Sequence, residues 1–224
     1  MFLPFLSKKP CPVTILGGPF RGARMILNPA HSKRKLLGIY EHVLNPWLNQ
    51  VMSHIEVVWD VGANDGYFTY GCAHAIRRYH HKGYIIAFEP GLDDQPALQL
   101  PATWQQYVDI QFELIPLFVG ATVDQNTTTL DVAYNSRPSL HGKTSLIKVD
   151  VEGSEIEVLK GGTALLQKPH HWVVEVHGDH LLEPVLDFFA QANRLVDIHP
   201  LRSHWLFGPE CRTIKTTWVT TKII

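Results

Sequence analysis

The sequence predicts an α/β protein built on one seven-stranded, mostly parallel sheet with the last strand antiparallel and helices on both faces. Three observations predict it. From about residue 55, short apolar runs alternate with segments of helical spacing, the pattern of strands joined by crossover helices. The run Val57-Val58-Trp59-Asp60-Val61 passes directly into the turn Gly62-Ala63-Asn64-Asp65-Gly66 and then into helical spacing, a strand–loop–helix crossing. At the far end, Pro200 to Glu210 leaves no room for a crossover helix, so the last two strands must pair antiparallel.

In chain order, the strands are expected at 55–61, 84–89, 110–119, 145–150, 171–177, 194–199 and about 212–221. Helices fall near 67–79, 93–107, 153–166 and 180–193, the second interrupted by Pro101. Residues 1–50 form an N-terminal extension and residues 51–224 the main domain. Within the extension, Val13–Leu16 and Ala23–Leu27 flank the turn Gly17-Gly18-Pro19-Phe20-Arg21-Gly22 as a hairpin, and Lys33–Glu41 reads as a helix ending before Pro46. Such an extension either covers the substrate side or is plain packing. Residues 121–142, rich in Thr, Asn and Ser, read as a flexible loop.

At 224 residues, 45% hydrophobic and 18% charged, the chain suits one α/β domain with additions. A net charge of −1 gives a nucleic-acid partner no help. The basic runs Lys33-Arg34-Lys35 and Arg77-Arg78 are short and read as solvated helix faces. Three cysteines, Cys11, Cys72 and Cys211, are odd in number and lack metal-ligand spacing, which points to a reducing compartment. Met1–Leu6 is apolar but too short for a secretory segment, and no window approaches a membrane span. The expectation is a cytoplasmic protein without membrane or nucleic-acid partners; its oligomeric state is not encoded legibly.

Asp60 carries the chemical argument. A loop serving a dinucleotide presents its helix end to a pyrophosphate, which a carboxylate there would repel. S-adenosylmethionine has no phosphate, and its aminoacyl and sulfonium groups are cationic, so an acidic loop suits it. The second strand runs into Phe88-Glu89-Pro90, where a strand-tip carboxylate accepts hydrogen bonds from ribose hydroxyls in Rossmann-like folds.

A second acidic constellation follows the fourth strand at Lys148-Val149-Asp150-Val151-Glu152-Gly153-Ser154-Glu155. Alternation puts Lys148 and Asp150 on one face, and Asp150 and Glu152 should border the same crevice as Asp60. Ser154 reads as a helix cap and Glu155 as complementing the helix dipole. A lysine inside an apolar strand needs a partner among Asp60, Asp150 and Glu175; a structural ion pair is favoured over a catalytic base. The fifth strand ends in Glu175-Val176-His177, and His177 suits proton transfer near neutrality. Asp150, Glu175 and His177 could also hold a divalent cation.

With Asp60-Val61-Gly62-Ala63-Asn64-Asp65-Gly66, Phe88-Glu89-Pro90, Thr129-Leu130-Asp131, Ile147–Glu155 and Leu159-Lys160-Gly161 in this order, the chain resembles the FkbM family of S-adenosylmethionine-dependent methyltransferases over roughly residues 55–178. The resemblance implies a class I, Rossmann-like methyltransferase fold and O-methylation of a hydroxyl on a sugar or small natural product. It assigns Asp60, Gly62, Ala63, Asn64 and Gly66 to the methionine end of the cofactor, Glu89 to its ribose, and Asp150 and Glu152 to the methyl-transfer side. Adenine would then meet Leu117 and Phe118, although the segment from Val119 to Thr128 is shorter than the family's pattern. His177, Asp150 or Glu152 would accept the acceptor's proton. The competing readings are a nicotinamide-dependent oxidoreductase, for which the loop lacks Gly-x-Gly-x-x-Gly, and a cofactor-binding protein without catalysis.

Overall fold

The structure, a computed structural model, describes residues 8–99, 105–209 and 215–223. In chain order it contains β1 (Cys11–Thr14), β2 (Arg24–Leu27), α1 (Lys33–Leu37), α2 (Asn45–Val51), β3 (Val57–Val61), α3 (Tyr67–His80), β4 (Gly83–Phe88) and α4 (Pro96–Gln99). Then come β5 (Ile110–Ile115), β6 (Phe118–Val119), β7 (Thr127–Thr128), α5 (Leu130–Asn135), β8 (Ser145–Val149), α6 (Glu155–Lys160), α7 (Thr163–Leu166), β9 (His171–His177), α8 (Asp179–Gln191), β10 (Val196–Pro200) and β11 (Thr216–Thr221).

Seven strands form one sheet in the order β10-β11-β9-β8-β3-β4-β5. The pairs β9–β8, β8–β3, β3–β4 and β4–β5 are parallel, and β11 runs antiparallel to both its neighbours. This is the class I methyltransferase architecture. β3 and β8 are buried at every position, as expected of central parallel strands covered on both faces. The period-two alternation of side chains divides the core. Val58, Ile85 and Leu146 face α3 and the N-terminal hairpin, whereas Val57, Trp59 and Ile147 face Tyr134, Val158 and Phe189.

The hairpin is built into this core. Phe20 lies edge-on to Tyr67 and Phe68, with ring centroids 5.5 and 5.6 Å away, and a Cβ at Gly71 would come within 2.4 Å of its ring. The Gly-Pro-Phe-Arg-Gly turn therefore clamps α3, the helix that follows the glycine loop.

Several expected boundaries move. The third strand ends at Ile115 rather than 119, because Pro116 has no N–H to continue the ladder; Phe118 and Val119 pair instead with Thr127 and Thr128 in a separate two-strand ladder. The helix expected at 93–107 is a 3₁₀ turn at Leu92–Asp94, the short α4 and a second 3₁₀ turn at Gln105–Tyr107. Pro101 lies outside the described residues, as do Cys211, Met1–Leu6 and positions 212–214 of the last expected strand. The helix expected at 153–166 breaks at Gly161-Gly162, where a Cβ on Gly161 would sit 1.9 Å from the Gly120 carbonyl oxygen. Residues 121–142, expected as loop, hold β7, α5 and a 3₁₀ turn at Pro138–Leu140, with Leu130 and Tyr134 buried. The helix expected at 33–41 stops at Gly38 in the left-handed region, and Pro46 opens α2, for which its fixed φ is suited.

Candidate functional site

The loop after β3 is shaped by contact with the loop after β8. Gly62 has φ +81°, and a Cβ there would fall 1.8 Å from the Asp150 carbonyl oxygen, so only glycine fits. Asp60, at the tip of β3, is fully buried; it accepts a hydrogen bond from Thr69 Oγ1 at 2.5 Å and lies 3.2 Å from Lys148 Nζ. Lys148 also donates to the Gly62 carbonyl at 2.7 Å and lies 3.3 Å from Asp150. Burial alone would drive the Lys148 pKa down, but the charges of Asp60, Asp150 and Glu41 outweigh it and hold the ammonium firmly protonated. An ammonium so placed has no lone pair with which to act as a base.

Glu89 braces the same loop. Its Oε2 accepts from the Asn64 N–H at 2.8 Å and its Oε1 from the Gly91 N–H at 2.9 Å. Each carboxylate oxygen retains acceptor capacity for a further donor. Asn64 itself adopts φ +48°, an uncommon conformation outside glycine that this backbone contact stabilises.

Between these elements lies a cavity of about 490 Å³, walled by Gly62, Asn64, Phe88, Glu89 and Pro90 on one side and Leu117, Phe118, Val119 and Gly120 on another. Asp150, Glu152 and Ser154 close its third side. The structure thus brings most of the expected cofactor residues to one hollow at the carboxyl edge of the sheet. Asp60, Ala63, Gly66, Lys148 and His177 stand behind or beside it and do not line it. Asp60 therefore does not present its carboxylate to the hollow, as the strand-tip reading expected; its oxygens face Thr69 and Lys148.

Beside the cavity, His177 is buried among acids. Its Nδ1 is 2.6 Å from Glu155 Oε1, and its Nε2 lies 3.5 Å from Glu152, 3.7 Å from Asp150 and 4.0 Å from Glu175. Burial pushes the His177 pKa down, but the hydrogen bond to Glu155 and the charges of Glu175, Glu155 and Asp150 override it, so the pKa stands above the usual 6.5. Burial pushes Asp150 up, and Lys148, His177 and a hydrogen bond shared with Glu175 more than reverse this, holding it below 3.8. Asp150, Glu175 and His177 offer ligand atoms within 4.8 Å of one another, so the expected cation donors do converge, with the Lys148 ammonium competing for Asp150.

Glu155 is the residue whose role the sequence reading missed. Ser154 occupies the cap position of α6 but makes no side-chain cap bond; Glu155 accepts from the Gly153 N–H at 3.0 Å and turns inward to His177, fully buried. A glutamate in the first turn of a helix looks solvent-facing in sequence, and only the crossing of α6 over β9 reveals otherwise. Asp131 has a different task from the cofactor motifs. Its carboxylate accepts from the Ala164 and Leu165 N–H groups at 2.9 and 2.8 Å, while Thr129 caps α5 by accepting from Val132 N–H at 3.1 Å. Together with the Gly161–Gly120 approach, these bonds fix the cavity wall after β6.

The strand order and the single reversed strand, with these loops at the carboxyl edge of the sheet, give the fold of a class I methyltransferase domain. Residues 110–196 match the methyltransferase FkbM domain. Hexuronic acid methyltransferase AglP of Haloferax volcanii is 30% identical over 165 residues, covering 65% of this chain and 66% of that protein. The chain therefore spans just under two-thirds of that relative's length. Among solved structures, a methyltransferase FkbM from Methylobacillus flagellatus shares the fold with a TM-score of 0.52 at 16% identity, over 83% of this chain and 54% of that one. Over residues 110–196 the chain carries a methyltransferase FkbM domain.

Proposed function

We propose that this protein methylates a hydroxyl oxygen of a sugar, using S-adenosylmethionine held in the cavity between the loops after β3, β4 and β8. The observation that carries this reading is the position of His177 Nε2 among three carboxylates at the cavity's edge, with Nδ1 committed to Glu155. The relative's hexuronic acid specificity supports a carbohydrate acceptor. The match of residues 110–196 to a methyltransferase domain leaves the oxidoreductase reading without support.

The residues fit the cofactor. A cavity of about 490 Å³ suits a ligand of that size. Glu89 offers acceptors for vicinal hydroxyls, and Leu117, Phe118 and Val119 offer an apolar wall for a flat base. Gly62 lets a ligand approach the backbone closely. When bound, S-adenosylmethionine supplies an electrophilic methyl group on a sulfonium.

The chain's own residues supply positioning and proton transfer. Glu155 accepts the Nδ1 proton of His177, which leaves the Nε2 lone pair directed to the side where Asp150 and Glu152 stand. His177 Nε2 would take the proton of an acceptor hydroxyl placed at the cavity's edge, and the bound S-adenosylmethionine would supply the methyl group to the oxygen so freed. The imidazolium so formed is stabilised by Glu155, Glu175 and Asp150, while Lys148 keeps Asp150 ionised and in place.

Two measurements test the reading. Calorimetry with S-adenosylhomocysteine should show binding, and mass spectrometry of a panel of hexuronides incubated with S-adenosylmethionine should show a methyl ether. Binding without transfer to any sugar would indicate a different acceptor or a non-catalytic role, and absence of binding at millimolar ligand would remove the proposal. Chelator treatment should leave turnover unchanged; a loss restored by a divalent ion would assign Asp150, Glu175 and His177 to a metal instead.

A further inference from the structure

The loop joining β10 to β11 carries an unusual surface. Trp205 is 87% exposed, the highest value for a large apolar side chain among the described residues, and its neighbours Leu206 and Phe207 are 61% and 46% exposed. The loop tip is held in shape. His204 and Gly208 exchange backbone hydrogen bonds at 2.9 and 2.8 Å, and Arg34 of α1 donates to the carbonyls of Phe207, Gly208 and Pro209, each at 2.8 Å. The His204 ring packs 5.5 Å from Phe207 and 5.2 Å from His42. Three apolar side chains held outward by a tethered backbone mark a contact surface rather than scattered exposure.

Two exposed cations stand on the segments that carry and hold the tip. Lys33, on the helix that grips the loop, and Arg202, three residues before Trp205, are both exposed. Nearby carboxylates on the adjoining elements are paired: Asp197 lies 3.5 Å from Lys222 and Asp179 lies 2.8 Å from Lys215. Thr216 of β11 stands opposite His177 in the register, and β10 runs parallel to β9, so the loop leaves from the sheet edge that carries the candidate site.

We propose that Trp205, Leu206 and Phe207 dock this protein on an anionic membrane surface, entering the headgroup boundary while Lys33 and Arg202 meet lipid phosphates. A second copy of the chain is a poorer occupant. Three side chains offer a few hundred Å² at most, short of the roughly 800 Å² per partner that a stable interface buries. No helix among the described residues is long and apolar enough to cross a membrane, so the contact is peripheral. The proposal goes beyond the expectation of no membrane partner, which rested on spanning segments. Docking would turn the edge bearing Asp150 and His177 toward the headgroups.

The test is co-sedimentation of the full chain with vesicles of phosphatidylcholine alone and of phosphatidylcholine with phosphatidylglycerol. The wild type should bind the anionic vesicles, and more weakly as salt is raised. The triple variant Trp205→Ser, Leu206→Ser, Phe207→Ser should lose tenfold or more in binding with an unchanged melting temperature. If that variant melts early, the pair Lys33→Gln and Arg202→Gln decides, with about fivefold lost for each charge removed. Failure of the wild type to bind either vesicle, unaltered binding by the folded triple variant, no loss in the charge pair, or tip-dependent self-association in sedimentation without vesicle binding would each overturn the proposal.

Discussion

Asp60 near the end of β3 and Asp150 just after the neighbouring parallel β8 share one ammonium, at 3.2 and 3.3 Å from Lys148, yet they occupy different worlds. Asp60 has no exposed side-chain surface, and its oxygens face Thr69 and Lys148. Asp150 keeps 22% of its side chain exposed, lines the cavity and stands 3.7 Å from His177. With charge and counter-ion in common, depth and neighbours separate them: burial leaves the Asp60 pKa raised, whereas Lys148, His177 and Glu175 hold that of Asp150 down. The inner carboxylate holds the loop and the outer one faces the cavity.

The comparison is broken most severely by removing the shared ammonium. Lys148→Ala should cost about 3–5 kcal/mol of stability, because it leaves Asp60 buried without its counter-ion. Denaturant unfolding measures this, and a loss under 1 kcal/mol would mean that Asp60 is neutral in the folded protein.

Next comes the base. His177→Ala should lower kcat by about 10²-fold or more with little change in cofactor affinity, as expected for a group that acts on the acceptor's proton. Turnover within threefold of wild type would remove His177 from the mechanism.

Replacing each acid by its amide sharpens the contrast. Asp60→Asn should destabilise the fold by about 1–3 kcal/mol, whereas Asp150→Asn should spare the melting temperature more and reduce turnover. Equal effects of the two on melting and on turnover would dissolve the distinction drawn from burial.

The smallest effect is on pH dependence. Because the folded pKa of His177 lies above 6.5, its contribution to stability is complete below that value and is lost as pH rises through the folded pKa. In the proposed role His177 acts as the neutral imidazole, so turnover should rise over the same interval in which stability falls. Asp150 behaves oppositely in acid, its contribution being present above 3.8 and lost as pH falls through its depressed folded pKa. Melting temperature and turnover measured across pH 6 to 9 would test the first pair of trends; a rate that falls with alkalinity would exclude His177 as base.

Much of this was legible in the residues. The glycine turn after Asp60 and the carboxylate at Glu89 announced the cavity because steric exclusion and charge act locally. The reversal of β11 followed from the short connection before it. Glu155 stayed hidden because its partner is 22 positions away and on another element. The fate of Asp60 was misjudged because depth cannot be read from a strand-tip position: the lysine that claims it lies on β8, 88 residues further along. Pro116 and the glycine pair at 161–162 were visible as letters, but their effect on boundaries depends on which backbone lies against them.

The reversed strand has a consequence for biosynthesis. β11 is inserted between β9 and β10, so β10 has no place in the sheet until residues 216–221 have left the ribosome. Until then β9 is an unprotected edge, open to pairing with another nascent chain. Trp47 and Trp172 both hydrogen-bond to Thr221, which fastens the start of the domain to the final strand only once that strand arrives. A chain stopped before Thr216 should therefore aggregate rather than persist as a smaller folded unit.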